Sequence, residues 1–298
     1  MSVAAEKIAF LRGSLARAGL EDGHVQARAP LGHAHADLCL HGGLLKGSLH
    51  EVFPAVAGYE AAAAGFVVTL AGRVAAGKRV LWLRPDFAAL EHGELSATGI
   101  LELGLDPGRF LLLRAPDVTA VLRAGFDALS CTALGALVIE IPGAPRILDL
   151  SASRRLVLTA AQSGVTAFLL RLDAQAEPSA AETRWLVRAA RSFDPPPFTG
   201  EVARRAGGGQ CARITFPLRL AALGTSPASG GGTIRGGGSA WGYPRFEAEL
   251  TRHRHGRTGH WLMEWNCDDR LFRAADSGAV VSAVADRPAA TQNANSSA

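Results

Sequence analysis

Residues 42–86, GGLLKGSLHEVFPAVAGYEAAAAGFVVTLAGRVAAGKRVLWLRPD, decide the fold of this chain. His50 to Phe53 form a short apolar run that ends at Pro54, as expected of a strand. Ala61 to Ala75 carry an apolar face at helical spacing, and Lys78 to Leu83 form a mostly apolar run typical of a strand buried on both faces. Strand, loop, helix and strand make up the unit in which a phosphate-binding loop is normally found.

The loop of this unit, PAVAGYEAA, lacks the chemistry that binds phosphate. A phosphate loop needs several glycines, a Lys for the β- and γ-phosphates and a Ser or Thr for Mg²⁺. Here Gly58 is the one glycine, Tyr59 carries the one hydroxyl, and no Lys is present. Glu60 adds a negative charge that repels phosphate. The sequence therefore predicts an ATPase scaffold whose nucleotide site is degenerate.

The pattern after Asp86 alternates helices and strands, which predicts an α/β fold with a mostly parallel sheet and helices on both faces. The predicted elements are helices at about 87–103, 117–130 and 150–163, and strands at 110–113, 137–141 and 167–172. From Glu182 onward the strands have no helices between them and should extend one edge of the sheet as antiparallel ribbons. These strands are predicted at 185–189, 212–216, 246–252 and 261–265.

The domain organisation follows from composition and from this pattern. We predict an N-terminal helix (5–20) and loop in residues 1–36, a core in 37–223, a Gly-rich flexible linker in 224–244, a C-terminal β-hairpin in 245–272 and a disordered tail in 273–298.

Composition excludes several classes of protein. The 298 residues are 48% hydrophobic and carry a net charge of +4, so the chain can bury a core, and its charge alone does not indicate nucleic-acid binding. The four cysteines lie far apart, which argues against a zinc site or a disulfide framework and fits a reducing cytosol. With no membrane-length apolar run and no signal-peptide core, we expect a cytoplasmic protein with no membrane partner.

The order of these motifs resembles the RecA-like ATPase core. Gly42, Gly43 and Gly47 match the family's turn before the first core strand, and Asp86 and Glu140 stand where the family has its catalytic Glu and its metal-associated Asp. Residues 104–117 and 134–144 resemble the strands that follow.

Within the RecA-like proteins the chain resembles the ImuA family, together with the related SulA-type division inhibitors. The phrases that carry the resemblance are HEVF (50–53), VLWLRPD (80–86), TRWLVRAARS (183–192) and RFEAELTRHRHGRTGHWLMEWN (245–266). The resemblance covers roughly residues 40–270.

The resemblance implies roles for Asp86 and Glu140, which in an active enzyme would activate water and hold Mg²⁺. Without a Lys in the loop, phosphoryl transfer loses its main stabilising charge. We therefore expect no catalytic residues and no cofactor, with Gly58, Tyr59, Glu60, Asp86 and Glu140 as the remnant of a nucleotide site. The alternative is that both carboxylates are solvated residues at strand ends.

The segment LTRHRHGRTG (250–259) resembles the basic hairpin with which RecA-like motors reach a neighbouring subunit's nucleotide site. Arg252 and Arg254 stand in the positions of the two basic residues, and alternation along a strand would point them the same way. With Arg257 they could bind DNA phosphate or an acidic partner. The alternative is an ordinary solvated turn.

The remaining histidine and tryptophan patterns do not predict a metal site or a hydrolase active site. His33 and His35 could place two metal ligands together, but no further ligand follows at a suitable spacing, and we expect no metal. A hydrolase is not supported, because no G-x-S-x-G elbow appears. Trp261 and Trp265 share one strand face and should belong to the core, whereas Trp241 is a candidate for an exposed anchor.

The resemblance to ImuA implies an accessory protein of error-prone translesion DNA synthesis in the SOS response. Its expected partners are an ImuB-like inactive relative of Y-family polymerases and a second DNA polymerase III α subunit, with RecA as a further candidate and DNA contacted directly or through partners. Two alternatives are a SulA-like cell-division inhibitor and a divergent ATPase that recruits charge from Lys78, Arg84 or a neighbour's Arg252.

Overall fold

The computed structural model describes residues 27–190 and 243–275. The predicted helix at 5–20, the strand at 212–216, Trp241, linker residues 224–242 and the tail beyond 275 lie outside the described residues.

The described residues form eleven strands, six α-helices and one 3₁₀ turn. The strands are β1 (Arg28–Ala29), β2 (Leu44–Leu45), β3 (Leu49–Pro54), β4 (Arg79–Pro85), β5 (Phe110–Ala115), β6 (Leu134–Pro142), β7 (Thr166–Leu172), β8 (Thr183–Ala189), β9 (Arg245–His253), β10 (Gly259–Asn266) and β11 (Leu271–Ala274). The helices are α1 (Ala34–Cys39), α2 (Glu60–Ala75), α3 (Ala88–His92), α4 (Ala97–Glu102), α5 (Val118–Leu129) and α6 (Leu150–Ser163), and the 3₁₀ turn spans Pro107–Arg109.

Nine strands form one sheet in the order β11-β10-β9-β8-β3-β7-β6-β4-β5. The six strands from β8 to β5 in this order are parallel to one another. The strands β9, β10 and β11 are antiparallel to their neighbours and form the C-terminal edge. The predicted fold class, a mostly parallel sheet with antiparallel strands at that edge, is confirmed.

Helices cover both faces of the sheet, as the alternating pattern predicts. Helix α2 packs on one face with a core that includes Phe66, Trp82 and Trp185. Helices α5 and α6 pack on the other face over a second core that contains Leu137 and Leu169. The strand β3 lies inside the sheet between β8 and β7, so the loop that follows it emerges near the middle of the molecule.

The predicted helix at 87–103 was wrong as a single element. It is divided into α3 and α4, because Gly93 adopts a φ of +77° that stops the first helix. Ser96 then starts the second helix, and its side chain accepts a hydrogen bond from the Gly99 N–H.

Three further differences concern the pairing and the extent of individual strands. The strand β8 was expected in the antiparallel ribbon, but it is parallel to β3, so antiparallel pairing begins between β8 and β9. The segment expected as a loop before residue 37 contains β1, which pairs with β2, and the start of α1. The strand β11 extends to Ala274, into the segment predicted as a tail. Short elements of this kind carry little periodicity and depend on tertiary pairing.

Candidate functional site

The loop after β3 is closed on itself by its own acidic residue. Gly58 has a φ of +96°, and its N–H donates to both carboxylate oxygens of Glu60 at 2.9 and 3.0 Å. Glu60 is the first residue of α2, where the helix dipole favours a negative group. In a phosphate loop such N–H groups point at the ligand. Here a carboxylate of the same chain already accepts that bond.

Tyr59 does not add a ligand group to this loop. It is the residue before α2, its side chain makes no capping hydrogen bond, and it is partly exposed. Of the three predicted loop residues, Gly58 and Glu60 contact each other, and Tyr59 contributes backbone to the helix start.

Glu140 is buried and fully hydrogen-bonded, not solvated. Its side chain lies on β6 next to β4, and the residue is 3% exposed. One carboxylate oxygen accepts the Trp82 indole N–H at 2.7 Å, and the other accepts the Arg84 guanidinium at 2.9 Å. The alternative that both carboxylates are solvated strand-end residues is therefore wrong for Glu140.

Burial and the Arg84 charge act on Glu140 in opposite directions. Burial raises the pKa of the Glu140 carboxyl above its ordinary value, and the Arg84 charge and the Trp82 hydrogen bond lower it. Arg84 is also held by the Gly93 carbonyl, which accepts from it at 2.8 Å. The Arg84 guanidinium is thus paired with the carboxylate to which the resemblance assigns the metal-associated position.

The other groups expected near a nucleotide do not join this pair. Asp86 follows the end of β4 and is exposed, so its surroundings differ from those of Glu140. Lys78 precedes the start of β4, at the opposite end of that strand from Asp86. Its ammonium donates to the Thr132 carbonyl at 2.9 Å. Arg84 is engaged by Glu140. Lys78 and Arg84, the two candidates in this chain for a replacement phosphate ligand, are therefore both held by other groups.

The basic hairpin residues lie at the other end of the sheet. Register aligns His50 of β3 with Thr183, and Thr183 with His253 of β9, so Arg252 and Arg254 are level with the start of β3. The Gly58 loop lies beyond the end of β3. Within one chain the structure therefore separates the two predicted sets of site residues.

Arg252 and Arg254 line the same surface groove. The Arg252 guanidinium donates to the Ser179 carbonyl at 2.6 Å, and Arg254 is exposed just after β9. Helix α6 forms the facing wall, and the groove has a volume of about 530 Å³. Arg257 is exposed in the β9–β10 turn. Sequence reasoning missed the contribution of α6, because nothing in the spacing of residues 150–163 indicates which hairpin they face.

His33, Trp261 and Trp265 have structural roles. The buried His33 caps α1, where its Nδ1 accepts from the Ala36 N–H. Trp265 is fully buried and Trp261 packs against the same core, as predicted.

One group of side chains in the described ranges is close enough to hold an ion. It consists of Glu91, His92 and Asp173, with the His92 Nε2 3.1 Å from the Asp173 carboxylate. Sequence reasoning missed this group, because Asp173 follows β7 and lies far along the chain from Glu91 and His92 on α3. The same contact is that of an ordinary histidine–carboxylate pair, and its geometry requires no ion.

The strand order and direction define a mostly parallel α/β sheet with an antiparallel C-terminal edge, which is the fold that the RecA-like resemblance implies. Among solved structures, the RadB recombinase matches 83% of this chain and 100% of its own chain, with a TM-score of 0.47 and 16% sequence identity. No protein-family model matches the chain.

Two curated relatives are similar in sequence to this chain, both named Protein ImuA, from two strains of Caulobacter vibrioides. Each is 29% identical over 237 residues, which cover 75% of this chain and 77% of the relative. The resemblance to ImuA that the motifs predicted is therefore confirmed, and it supports assignment to that family. None of the described helices combines the length and apolar character needed to cross a bilayer.

Proposed function

We propose that this protein is a non-catalytic accessory factor of damage-induced, error-prone DNA synthesis and that it acts through protein contacts. The similarity to ImuA supports the biological role. The non-catalytic part of the proposal rests on the contacts that the residues of the nucleotide-site remnant make within the chain. Glu60 accepts the Gly58 N–H that would face a phosphate, and Glu140 is neutralised by Arg84.

The proposed partners are an ImuB-like inactive relative of Y-family polymerases, a DNA polymerase III α subunit and RecA. A RecA-like scaffold offers surfaces of the kind that mediate contacts between subunits, and these surfaces do not require a working nucleotide site. The groove lined by Arg252 and Arg254 is one such surface, because it combines positive charge with exposed apolar side chains.

The divergent-ATPase alternative finds no support among the described residues. Lys78 lies at the end of β4 opposite to the nucleotide-site remnant, where it donates to a backbone carbonyl. Arg84 is paired with a buried carboxylate. A neighbour's Arg252 would have to leave the Ser179 carbonyl to reach a nucleotide.

The catalytic part of the proposal is tested by calorimetry with ATP and Mg²⁺ at a concentration that detects a Kd of ~100 μM, or about −5.5 kcal/mol. We expect no heat of binding and no thermal stabilisation. If heat is measured, Glu60→Gln and Arg254→Glu locate it. Tighter binding by Glu60→Gln would place ATP at the loop and refute the proposal, whereas loss of the heat in Arg254→Glu would identify adventitious binding to surface arginines.

The partner part is tested by interferometry with the immobilised chain and the purified ImuB-like protein of the same organism. The tubulin-like division protein is the comparator. We expect a complex with the ImuB-like protein alone. Binding to the division protein alone would favour the SulA-like alternative and would overturn the proposal.

A further inference from the structure

The groove between helix α6 and the basic hairpin has two unlike walls, and we call it the arginine groove. Its α6 wall consists of Leu150, Arg154, Val157 and Leu158, and its other wall of Arg252 and Arg254. Residues 178–180, which connect β7 to β8, form its floor.

The floor is fixed to both walls. Arg252 donates to the Ser179 carbonyl at 2.6 Å, and the Ala180 N–H donates to the Ser153 hydroxyl of α6 at 3.0 Å. The groove is therefore formed before any ligand arrives, which reduces the entropy lost on binding.

The arginines of the groove have no ion-pair partner in the part of the chain that the structure describes. Arg154 and Arg254 are exposed and form no ion pair there, whereas some of the other exposed arginines do, as in the pairs Arg114–Glu94, Arg188–Glu247 and Arg273–Asp269. The nearby Glu182 is directed toward His253, 3.5 Å from its Nε2. Two guanidinium groups thus remain available to an anionic ligand.

The apolar part of the groove favours a protein ligand over a nucleic acid. Leu158 is 62% exposed and Leu150 37% exposed, and with Val157 they follow the spacing of one helix face. Single-stranded nucleic acid is normally held by aromatic side chains on which bases stack, and the lining residues include none. Arginines around exposed leucines suit a helix with acidic and apolar residues.

We propose that the arginine groove is the docking site for an acidic, amphipathic segment of the polymerase-like partner. This inference rests on the proposed function, because it assumes that such a partner binds. The segment would place carboxylates against Arg154 and Arg254 and apolar side chains against Leu150 and Leu158.

The test measures the affinity of the purified ImuB-like protein for the full chain and four variants. Arg154→Glu and Arg254→Glu reverse the groove charge, and Leu158→Asp removes its apolar contact. Arg123→Glu, on the exposed surface of α5, is the control with the same charge change. We expect each groove variant to weaken binding at least tenfold, the control to stay within twofold, and all four to keep the wild-type melting temperature.

The outcomes separate this inference from the proposed function. No binding by the wild type would refute both. Binding that the groove variants leave unchanged would refute the inference alone. Overlapping peptides of the partner provide a second readout, and the tightest one should be acidic with large apolar residues at helical spacing. A basic peptide would overturn the inference.

A thymidine oligonucleotide of about 30 nucleotides tests the competing ligand. If the two charge-reversal variants lose the oligonucleotide while Leu158→Asp binds the partner as tightly as the wild type, the groove is a nucleic-acid site and the inference fails. We expect the oligonucleotide to bind weakly and Leu158→Asp to impair partner binding.

Discussion

The nucleotide-site remnant and the arginine groove lie at opposite ends of one sheet and use charge in opposite ways. At the remnant two of the three charged groups have a partner from the same chain: Glu60 holds the Gly58 N–H, and Arg84 holds Glu140, while Asp86 is exposed. At the groove, Arg154 and Arg254 are exposed without an ion pair in the described ranges. Charges that are paired internally stabilise the fold, and charges left exposed are available for binding.

The largest expected effect is at the buried ion pair. Arg84→Ala leaves the Glu140 carboxylate buried without its counter-charge, and we expect a loss of about 3–5 kcal/mol in the free energy of unfolding, measured with urea. The control Arg188→Ala, in the exposed pair with Glu247, should change it by less than about 1 kcal/mol. The loss should shrink at acid pH, where Glu140 is protonated. Equal effects of the two variants would show that burial is not decisive.

A smaller effect is expected from His50 at the start of β3, level with the hairpin wall of the groove. Burial lowers the pKa of His50 from 6.5 to about 4. The unfolded chain therefore binds more protons than the folded chain between these values, so stability falls as the pH falls through this window. We expect a loss of about 2 kcal/mol between about pH 7.5 and pH 5.

Other groups also contribute to the pH dependence, because the pKa values of His33 and His253 are lowered and that of Glu140 is raised. The variant His50→Gln removes the contribution of His50 alone and leaves those groups in place. The stability of the variant should depend less steeply on pH than that of the wild type. An unchanged slope would mean that His50 is not the group responsible.

The next effect concerns the loop of the remnant. Glu60→Ala removes the acceptor of the Gly58 N–H and the negative group at the start of α2, and we expect a loss of about 1 kcal/mol in urea unfolding. Glu177→Ala, in an exposed loop, is the matched control and should be neutral. Glu60→Ala should still not bind ATP, because the loop lacks Lys and Ser or Thr. Measurable ATP binding would show that the carboxylate alone blocks the site.

The smallest effect on stability is expected in the groove. Arg254→Glu alters an exposed residue with no ion pair in the described ranges, so the free energy of unfolding should change by less than about 0.5 kcal/mol. The same variant should lose partner binding. A large loss of stability would mean that Arg254 supports the fold, and the contrast between the two regions would disappear.

Several parts of the fold follow from local sequence. The predicted helix at 150–163 matches α6, and the helix at 117–130 matches α5 within one residue at each end. Both begin at an Asp whose side chain caps the helix, a signal carried by neighbouring residues. The absence of phosphate-loop residues also follows from the sequence, because it concerns only which residue types one loop contains.

Other features required the tertiary structure. The sequence by itself determined the order of the elements, the mostly parallel α/β class and the absence of Lys and Ser or Thr from the loop, because these depend on periodicity and on residues close along the chain. Only the fold decided that Glu140 pairs with Arg84, that β8 is parallel to β3, and that α6 faces Arg252 and Arg254. Such contacts join residues far apart in the sequence, and local patterns carry no information on which strands and helices become neighbours.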